Sequence, residues 1–163
     1  MDLLTSRLNP SHKRAVFDCG NVALNGYLQQ FAKQDEKRRV AACYVMCDEM
    51  QKILAYYTLS TSSLPFDNLP LETQKKLPRY ASIPTVKIGR LAVELSAQGQ
   101  GLSKLLLADA LKRTEKIEAG VFAITVDAKD ENAAGFYLYC GFIALPKQPL
   151  TLFLPLSASK VLT

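Results

Sequence analysis

The chain has 163 residues, 48% hydrophobic and 21% charged, the composition of a soluble globular protein with length enough to bury a core in one domain, 1–163. Its formal net charge of +5 and pI near 9.0 favour polyanions but fall short of a dedicated nucleic-acid binder. His12 is the only histidine, which leaves little for Ser–His–Asp hydrolysis or His-based metal sites, and no apolar run approaches the roughly 20 residues of a bilayer span.

The N-terminus lacks a basic segment followed by an apolar core, so no signal peptide is expected. Phe17-Asp18-Cys19-Gly20-Asn21 reads as a turn leading into a helix, with Asp18, Gly20 and Asn21 as turn or cap residues. Ala23, Leu24, Tyr27, Leu28, Phe31 and Ala32 recur at three- and four-residue spacing and predict an amphipathic helix from about Asn21 to Gln34. Lys33, Lys37, Arg38 and Arg39 cluster at its end, diluted by Asp35 and Glu36. Such a cluster is either a solvated helix end favoured by the dipole or a contact for a polyanion.

Val40 to Cys47 and Lys52 to Ser60 predict two strands paired as a hairpin. Pro65, Pro70, Pro78 and Pro84 then punctuate a long connection with one short helix over Leu71 to Leu77. It shapes a substrate entrance or simply covers a sheet. Lys75, Lys76, Arg79, Lys87 and Arg90 form a second basic cluster around the entry of the next strand, which ends at Val93. A helix is expected from about Gly101 to Glu118, stopping near Gly120. Phe122 to Asp127 reads as another buried strand, Asp130 as the cap of a helix that stops at Gly141, and Leu150 to Leu156 as a last strand in which Pro155 marks an edge or an end. Strands that pair locally and then alternate with helices give an α/β or α+β class with a mixed sheet. Cys19, Cys43, Cys47 and Cys140 lie among apolar neighbours without metal-ligand spacing and read as reduced, buried thiols of a cytoplasmic protein.

The turn between Val93 and Leu102 carries two glycines and no acidic residue beyond Glu94. Backbone N–H groups at a helix start are unpaired donors carrying about half a positive charge, so this turn can seat a pyrophosphate. It can equally be plain strand–helix punctuation. It is not a P-loop, which needs G-x-x-x-x-G-K-[ST], nor a dinucleotide fingerprint, because Lys104 holds the third glycine's place.

Gln98-Gly99-Gln100-Gly101-Leu102-Ser103 resembles the acetyl-CoA-binding motif (Q/R)-x-x-G-x-(G/A) of the GNAT N-acetyltransferases, with Ser103 departing at the last position. Phe136-Tyr137 and Gly141-Phe142, preceded by Asn132, resemble the last motif of the same family. On residue type alone, Tyr137 and Tyr139 are core aromatics with a polar tip as readily as site residues. The resemblance implies a GNAT fold, a mixed central sheet of about six to seven strands flanked by helices, with acetyl-CoA as co-substrate and no metal. It implies that the amides of Gly99, Gly101, Leu102 and Ser103 hold the pyrophosphate, that the backbone of Leu91 and Val93 pairs with the pantetheine arm, and that Ala92, Gln98 and Gln100 belong to the same cofactor site. Asn132 joins the cofactor site, and Tyr137 protonates the departing thiolate. No general base is evident; a carboxylate such as Glu94 or a water chain would serve, and an amine that arrives deprotonated needs neither.

Three further stretches narrow the resemblance. Phe17-Asp18-Cys19-Gly20-Asn21-x-Ala23-Leu24-Asn25-x-Tyr27-Leu28, Gly89-Arg90-Leu91-Ala92-Val93 and Leu150-Thr151-Leu152-Phe153-Leu154 resemble the TacT-like acetyltransferase toxins of type II toxin–antitoxin modules, over nearly the whole chain. That branch implies acetylation of the α-amino group of aminoacyl-tRNA, arrest of translation, a homodimer and a cognate ribbon–helix–helix antitoxin. It makes Arg90, Lys33, Lys37, Arg38 and Arg39 candidates for contact with tRNA. An ordinary GNAT enzyme acting on small amines or protein N-termini shares the cofactor site, and a non-catalytic module shares the fold.

Overall fold

In a computed structural model that describes residues 3–157, the apolar patterns resolve into a mixed seven-stranded sheet flanked by helices. The elements are β1 (Ser6–Arg7), α1 (Val22–Gly26), a π turn (Tyr27–Phe31), α2 (Ala32–Lys37), β2 (Ala42–Cys47), β3 (Ile53–Pro65), α3 (Leu71–Gln74), β4 (Ser82–Val93), α4 (Leu102–Glu115), β5 (Ala123–Asp127), α5 (Glu131–Tyr139), β6 (Ile143–Leu145) and β7 (Gln148–Pro155). The strand order is β1-β2-β3-β4-β5-β7-β6. Two compact units divide the described residues: 3–60 with 89–113, and 61–88 with 114–157. Among these residues no helix is long and apolar enough to cross a membrane.

In the first unit, Asn21 in extended backbone accepts a bond from the Leu24 amide at 3.1 Å and starts the helical run. The run continues three residues beyond the expected Gln34, to Lys37. Its Tyr27, Leu28 and Ala32 share a core with Phe17, Cys43, Val45, Ile53, Tyr56 and Ala92. The two tyrosines satisfy their polar tips inside it. Tyr56 donates to the Leu24 carbonyl at 2.7 Å and Tyr27 to the Asp35 carboxylate at 2.8 Å. β2 and β3 form the expected antiparallel hairpin, closed by Gln51 at φ +66° and by Asp48, which accepts from the Met50 and Lys52 amides.

Helix α4 buries Leu106, Leu107, Ala110 and Leu111, the stripe of a helix with one face in a core. Replacing a leucine at such a position by alanine costs about 2–5 kcal/mol. The same helix buries a carboxylate. Asp109 is 1% exposed and accepts from the Leu4 amide at 2.6 Å, the Tyr57 hydroxyl at 2.7 Å and the Thr5 hydroxyl, with Arg113 Nε at 3.5 Å. Arg113 also donates to the Thr5 carbonyl at 2.5 Å and lies over the Tyr44 ring. Burial alone would raise the Asp109 pKa, but the bonds from Thr5, Tyr57 and Leu4, with Arg113, outweigh it and hold the group below the ordinary carboxyl value.

In the second unit, β4 runs parallel to β5 from Thr85 opposite Ala123 to Ile88 opposite Val126, where the ladder ends. β7 lies antiparallel between β5 and β6. Leu64, Phe66, Leu69, Ile83, Ala123, Leu145 and Phe153 form its core. The proline-rich connection is shorter than expected, because β3 runs on to Pro65, and its helix spans only Leu71–Gln74. Phe66 and Leu69 are buried in the core, so this segment covers the sheet. Pro155 marks the end of β7, not an edge. Helix α4 stops at Glu115, three residues before the expected Glu118.

Candidate active site

The chain leaves β4 through Glu94, which caps a 3-10 turn over Leu95–Ala97, and reaches α4 through Gln98, Gly99, Gln100 and Gly101. Gly99 at φ +80° and Gly101 at φ +78° adopt left-handed backbone that an L side chain resists. A Cβ on either would meet nothing within 4 Å, so both face open space. The helix ladder begins with Leu105 N donating to Gly101 O at 3.3 Å, so the amides of Leu102 and Ser103 precede it. No acidic residue occupies the first turn of α4. Open glycines and free helix-start donors fit a pyrophosphate.

Beneath the turn lies a bracket. The Gln98 side chain donates to the Cys19 carbonyl at 3.0 Å and to the Val93 carbonyl at 2.9 Å. Asp18 Oδ1 accepts from the Gly20 amide and from Asn25 Nδ2, both at 2.9 Å, while Asn25 Oδ1 accepts from the Cys19 amide at 2.9 Å. The Asp18 carbonyl accepts from the Leu95 amide at 2.8 Å. Gly20, at φ +87°, leaves room for Leu95, whose Cδ2 would lie 3.1 Å from an added Cβ. The Phe17–Asn21 stretch, read from sequence as turn and cap, therefore also holds the glycine turn from below. The Gln98 side chain is part of that scaffold. Of the strand residues expected at the pantetheine arm, Ala92 and Val93 are buried and Leu91 is half-buried, and Gln98 occupies the Val93 carbonyl.

Glu94 is committed to a structural task. Its Oε2 accepts from the Ser96 amide at 2.8 Å and from the Ser96 hydroxyl, with Lys52 Nζ 3.9 Å from Oε1. The Ser96 hydroxyl bond, more than any other contact, holds the carboxyl below its ordinary value. The same oxygen that would take a proton is thus the one that caps the turn.

In the second unit, Asp130 accepts from the Ala133 amide at 2.8 Å and starts α5, and Gly141 at φ +100° follows its end. Both are the expected signals. Tyr137 is half-buried, edge-on to Phe136 at 5.4 Å and tilted against Phe142 at 5.5 Å. Burial, and then the neighbouring Cys140 thiol, push its phenol above the ordinary value, so it stays protonated at neutral pH. Asn132 is exposed in the first turn of the same helix. Tyr139 is 81% exposed, which excludes it from the core.

Among the described residues the four cysteines form no disulfide, and no group of three or more His, Cys, Asp or Glu gathers to hold a metal ion. Cys19 and Cys47 are only half-buried, short of the expected burial. Burial and then Glu36 push the Cys43 thiol up to about 12, and burial and Asp48 raise Cys47, so neither is a thiolate at neutral pH.

The candidate cations differ in their surroundings. Arg90 lies 3.6 Å from the Tyr27 ring centroid. Elsewhere in the second basic cluster, Lys75 pairs with Glu72 at 3.2 Å, Arg79 lies over the Phe66 ring and Lys87 pairs with Asp127 at 2.5 Å. Lys33, Lys37, Arg38 and Arg39 are exposed.

A family model describing an acetyltransferase (GNAT) domain matches residues 76–151. A crystal structure of a tyrosine-to-phenylalanine mutant of KacT is 33% identical, covers 100% of both chains and superposes with a TM-score of 0.88. The chain belongs to the GNAT acetyltransferases. Other members are similar over the same extent. AtaT complexed with acetyl-methionyl-tRNAfMet is 33% identical, covers 99% of each chain and gives a TM-score of 0.88. AtaTR bound with AcCoA is 32% identical, covers 99% of this chain and 98% of that one, and gives 0.82. A tyrosine-to-phenylalanine AtaT mutant has been solved with the C-terminus of the antitoxin AtaR. The tRNA-acetylating toxin of Mycobacterium tuberculosis is 28% identical over 158 residues, 96% of this chain and 93% of the relative. This GNAT enzyme is thus an acetyltransferase built on a mixed seven-stranded sheet.

Proposed function

We propose that this GNAT enzyme acetylates the α-amino group of aminoacyl-tRNA, arrests translation and is neutralised by a cognate antitoxin. The observation that carries this reading is the whole-chain likeness, at 33% identity, to AtaT in complex with acetyl-methionyl-tRNAfMet. The AcCoA-bound relative supports acetyl-CoA as the donor.

The amides of Gly99, Gly101, Leu102 and Ser103 are our candidates to hold the pyrophosphate, with Gln100 beside them and Gln98 bracing the turn. Leu91, Ala92 and Val93 offer backbone groups to the amide-bearing arm of the cofactor, and the Val93 N–H is the donor assigned to the thioester oxygen. Acetyl-CoA, when bound, supplies an acetyl group already activated as a thioester. Tyr137 gives its proton to the departing sulfur. Its raised pKa keeps that proton in place at neutral pH, and tyrosine-to-phenylalanine mutants of KacT and AtaT support choosing a tyrosine for the role. Asn132 precedes Tyr137 on α5 as a further cofactor contact. The substrate amine reacts in its deprotonated form and needs no carboxylate to activate it, in keeping with Glu94 serving as a cap, and the proton its nitrogen sheds as the amide forms would return to the Tyr137 phenolate.

On this reading the whole chain works as one domain in the cytoplasm, where its substrate is made. A homodimer and a ribbon–helix–helix antitoxin complete the proposal, and antitoxin-bound AtaT supports the second partner. The test is transfer from acetyl-CoA to three acceptors: aminoacyl-tRNA, free amino acid amides and peptide N-termini. Acetylated aminoacyl-tRNA as the dominant product is expected. Transfer confined to the other two would make the chain an ordinary GNAT enzyme.

A further inference from the structure

The parallel ladder of β4 and β5 ends at Ile88 opposite Val126, yet both chains run on. β5 stays with β7: Asp127 lies opposite Thr151, and the Ala128 amide donates to the Leu150 carbonyl at 2.7 Å. β4 continues to Val93 without a partner from β5. Leu91 to Val93, the stretch assigned above to the cofactor arm, belong to that continuation. The last rung is therefore where the strands part and where an acceptor has to meet the thioester.

Side chains alternate across a sheet, and the two sides of this rung differ. Ile88 and Val126 are buried. On the other side, Lys87 Nζ lies 2.5 Å from Asp127 Oδ2, and the Thr151 hydroxyl donates to Asp127 Oδ1 at 2.9 Å. β4, β5 and β7 thus contribute one residue each. Stability does not account for the pair, because side chains 37% and 53% exposed gain little from an ion pair. Burial alone would raise the Asp127 pKa, but the bonds from Lys87 and Thr151 outweigh it and hold the carboxyl below its ordinary value. The group is an anion at neutral pH. Other carboxylates along the chain are committed, Asp130 to capping α5 and Glu94 to capping its own turn.

Thr151 fixes Oδ1 and so aims Oδ2. What Oδ2 holds is a primary ammonium on a flexible stem, the same chemical group that an amine acceptor brings.

We infer that Asp127 Oδ2 receives the α-amino group of the acceptor, exchanging Lys87 Nζ for it. This rests on the aminoacyl-tRNA reading above and adds the residue that recognises the amine. A carboxylate only accepts, so it takes an N–H of the amine and leaves the nitrogen lone pair free for the thioester carbon. The lysine keeps the carboxylate paired until the exchange and, as half of an exposed pair, leaves at small cost.

The test uses the full chain without acetyl-CoA, so that binding is read apart from transfer. Bulk tRNA charged with its amino acids is first acetylated to find the species the chain uses. That species is then prepared as aminoacyl-tRNA and as its desamino counterpart, with hydrogen in place of the amine. A hydrogen bond to a charged group is worth roughly tenfold, so the wild-type chain should bind the aminoacyl form about tenfold more tightly. Asp127→Ala should bind both forms alike, with affinity for the desamino form, and for acetyl-CoA by calorimetry, at wild-type values. Lys87→Met removes the competing ammonium and should widen the preference for the amine. An Asp127→Ala variant that keeps the wild-type preference overturns the inference. So does one that loses the desamino form and acetyl-CoA as well, which would make the residue structural. Loss of the preference in Lys87→Met would assign the amine to the lysine instead. A wild-type chain that acetylates no aminoacyl-tRNA removes the underlying function, and that failure is seen before any variant is made.

Discussion

The side-chain amide of Gln98 donates to the carbonyl of Cys19 at 3.0 Å, joining residues 79 positions apart. Through this bond the Phe17–Asn21 bracket and the glycine turn act as one piece. Gln98→Ala removes two bonds to carbonyls, each worth about 0.5–1.5 kcal/mol net. We expect acetyl-CoA affinity to fall about tenfold by calorimetry, with a smaller loss of thermal stability. Affinity equal to wild type would mean that the turn holds its shape without the bracket.

Gly20 and Gly99 separate strain from crowding. Both have positive φ, which costs an L residue about 1–2 kcal/mol, but only Gly20 has a neighbour, Leu95, in the way. Gly20→Ala should lower the melting temperature more than Gly99→Ala. Gly99→Ala should lose acetyl-CoA affinity out of proportion to its stability. Equal melting shifts would show that Leu95 gives way freely.

Glu94→Gln distinguishes a cap from a base. A cap of this kind is worth about 1 kcal/mol. The variant should be slightly less stable, with the acid limb of its rate–pH profile where the wild type has it. Disappearance of that limb would make Glu94 the base.

Asp109 sets an acid limit. Its folded pKa is depressed, so its contribution is fully present above the unfolded carboxyl value near 4 and is lost as pH falls through the folded value. Asp109→Ala leaves Thr5, Tyr57 and Arg113 without their acceptor and should cost about 3–5 kcal/mol, roughly 10 °C in melting temperature. The variant should also show a flatter loss of stability below pH 4. An unchanged acid transition would locate acid sensitivity elsewhere.

Much of this was legible in the sequence. Asn21, Asp130 and Gly141 announce the helix starts and the stop the fold uses, because capping is local chemistry. β1 and β6, at two and three residues, are too short for any alternation to register. The bracket was hidden for a different reason. Asp18 and Asn25 look like ordinary turn and helix residues, and their joint hold on residues 95 and 98 exists only once the chain has folded back. Likewise, the consumption of Asp35 and Glu36 depends on Tyr27, Arg7 and Cys43, which no local window pairs with them. Tyr137 was recognisable by its motif, while its raised pKa required the burial that folding supplies.

The most direct measurement is cell-free translation with the purified chain, with and without acetyl-CoA, followed by mass analysis of the aminoacyl-tRNA. Arrest only in the presence of acetyl-CoA, with one acetyl group added to the aminoacyl-tRNA, is the expected result. A folded Tyr137→Phe variant should be about 10²–10⁴-fold slower in that transfer. Continued translation with unmodified aminoacyl-tRNA, while the chain still consumes acetyl-CoA, would contradict the proposed function.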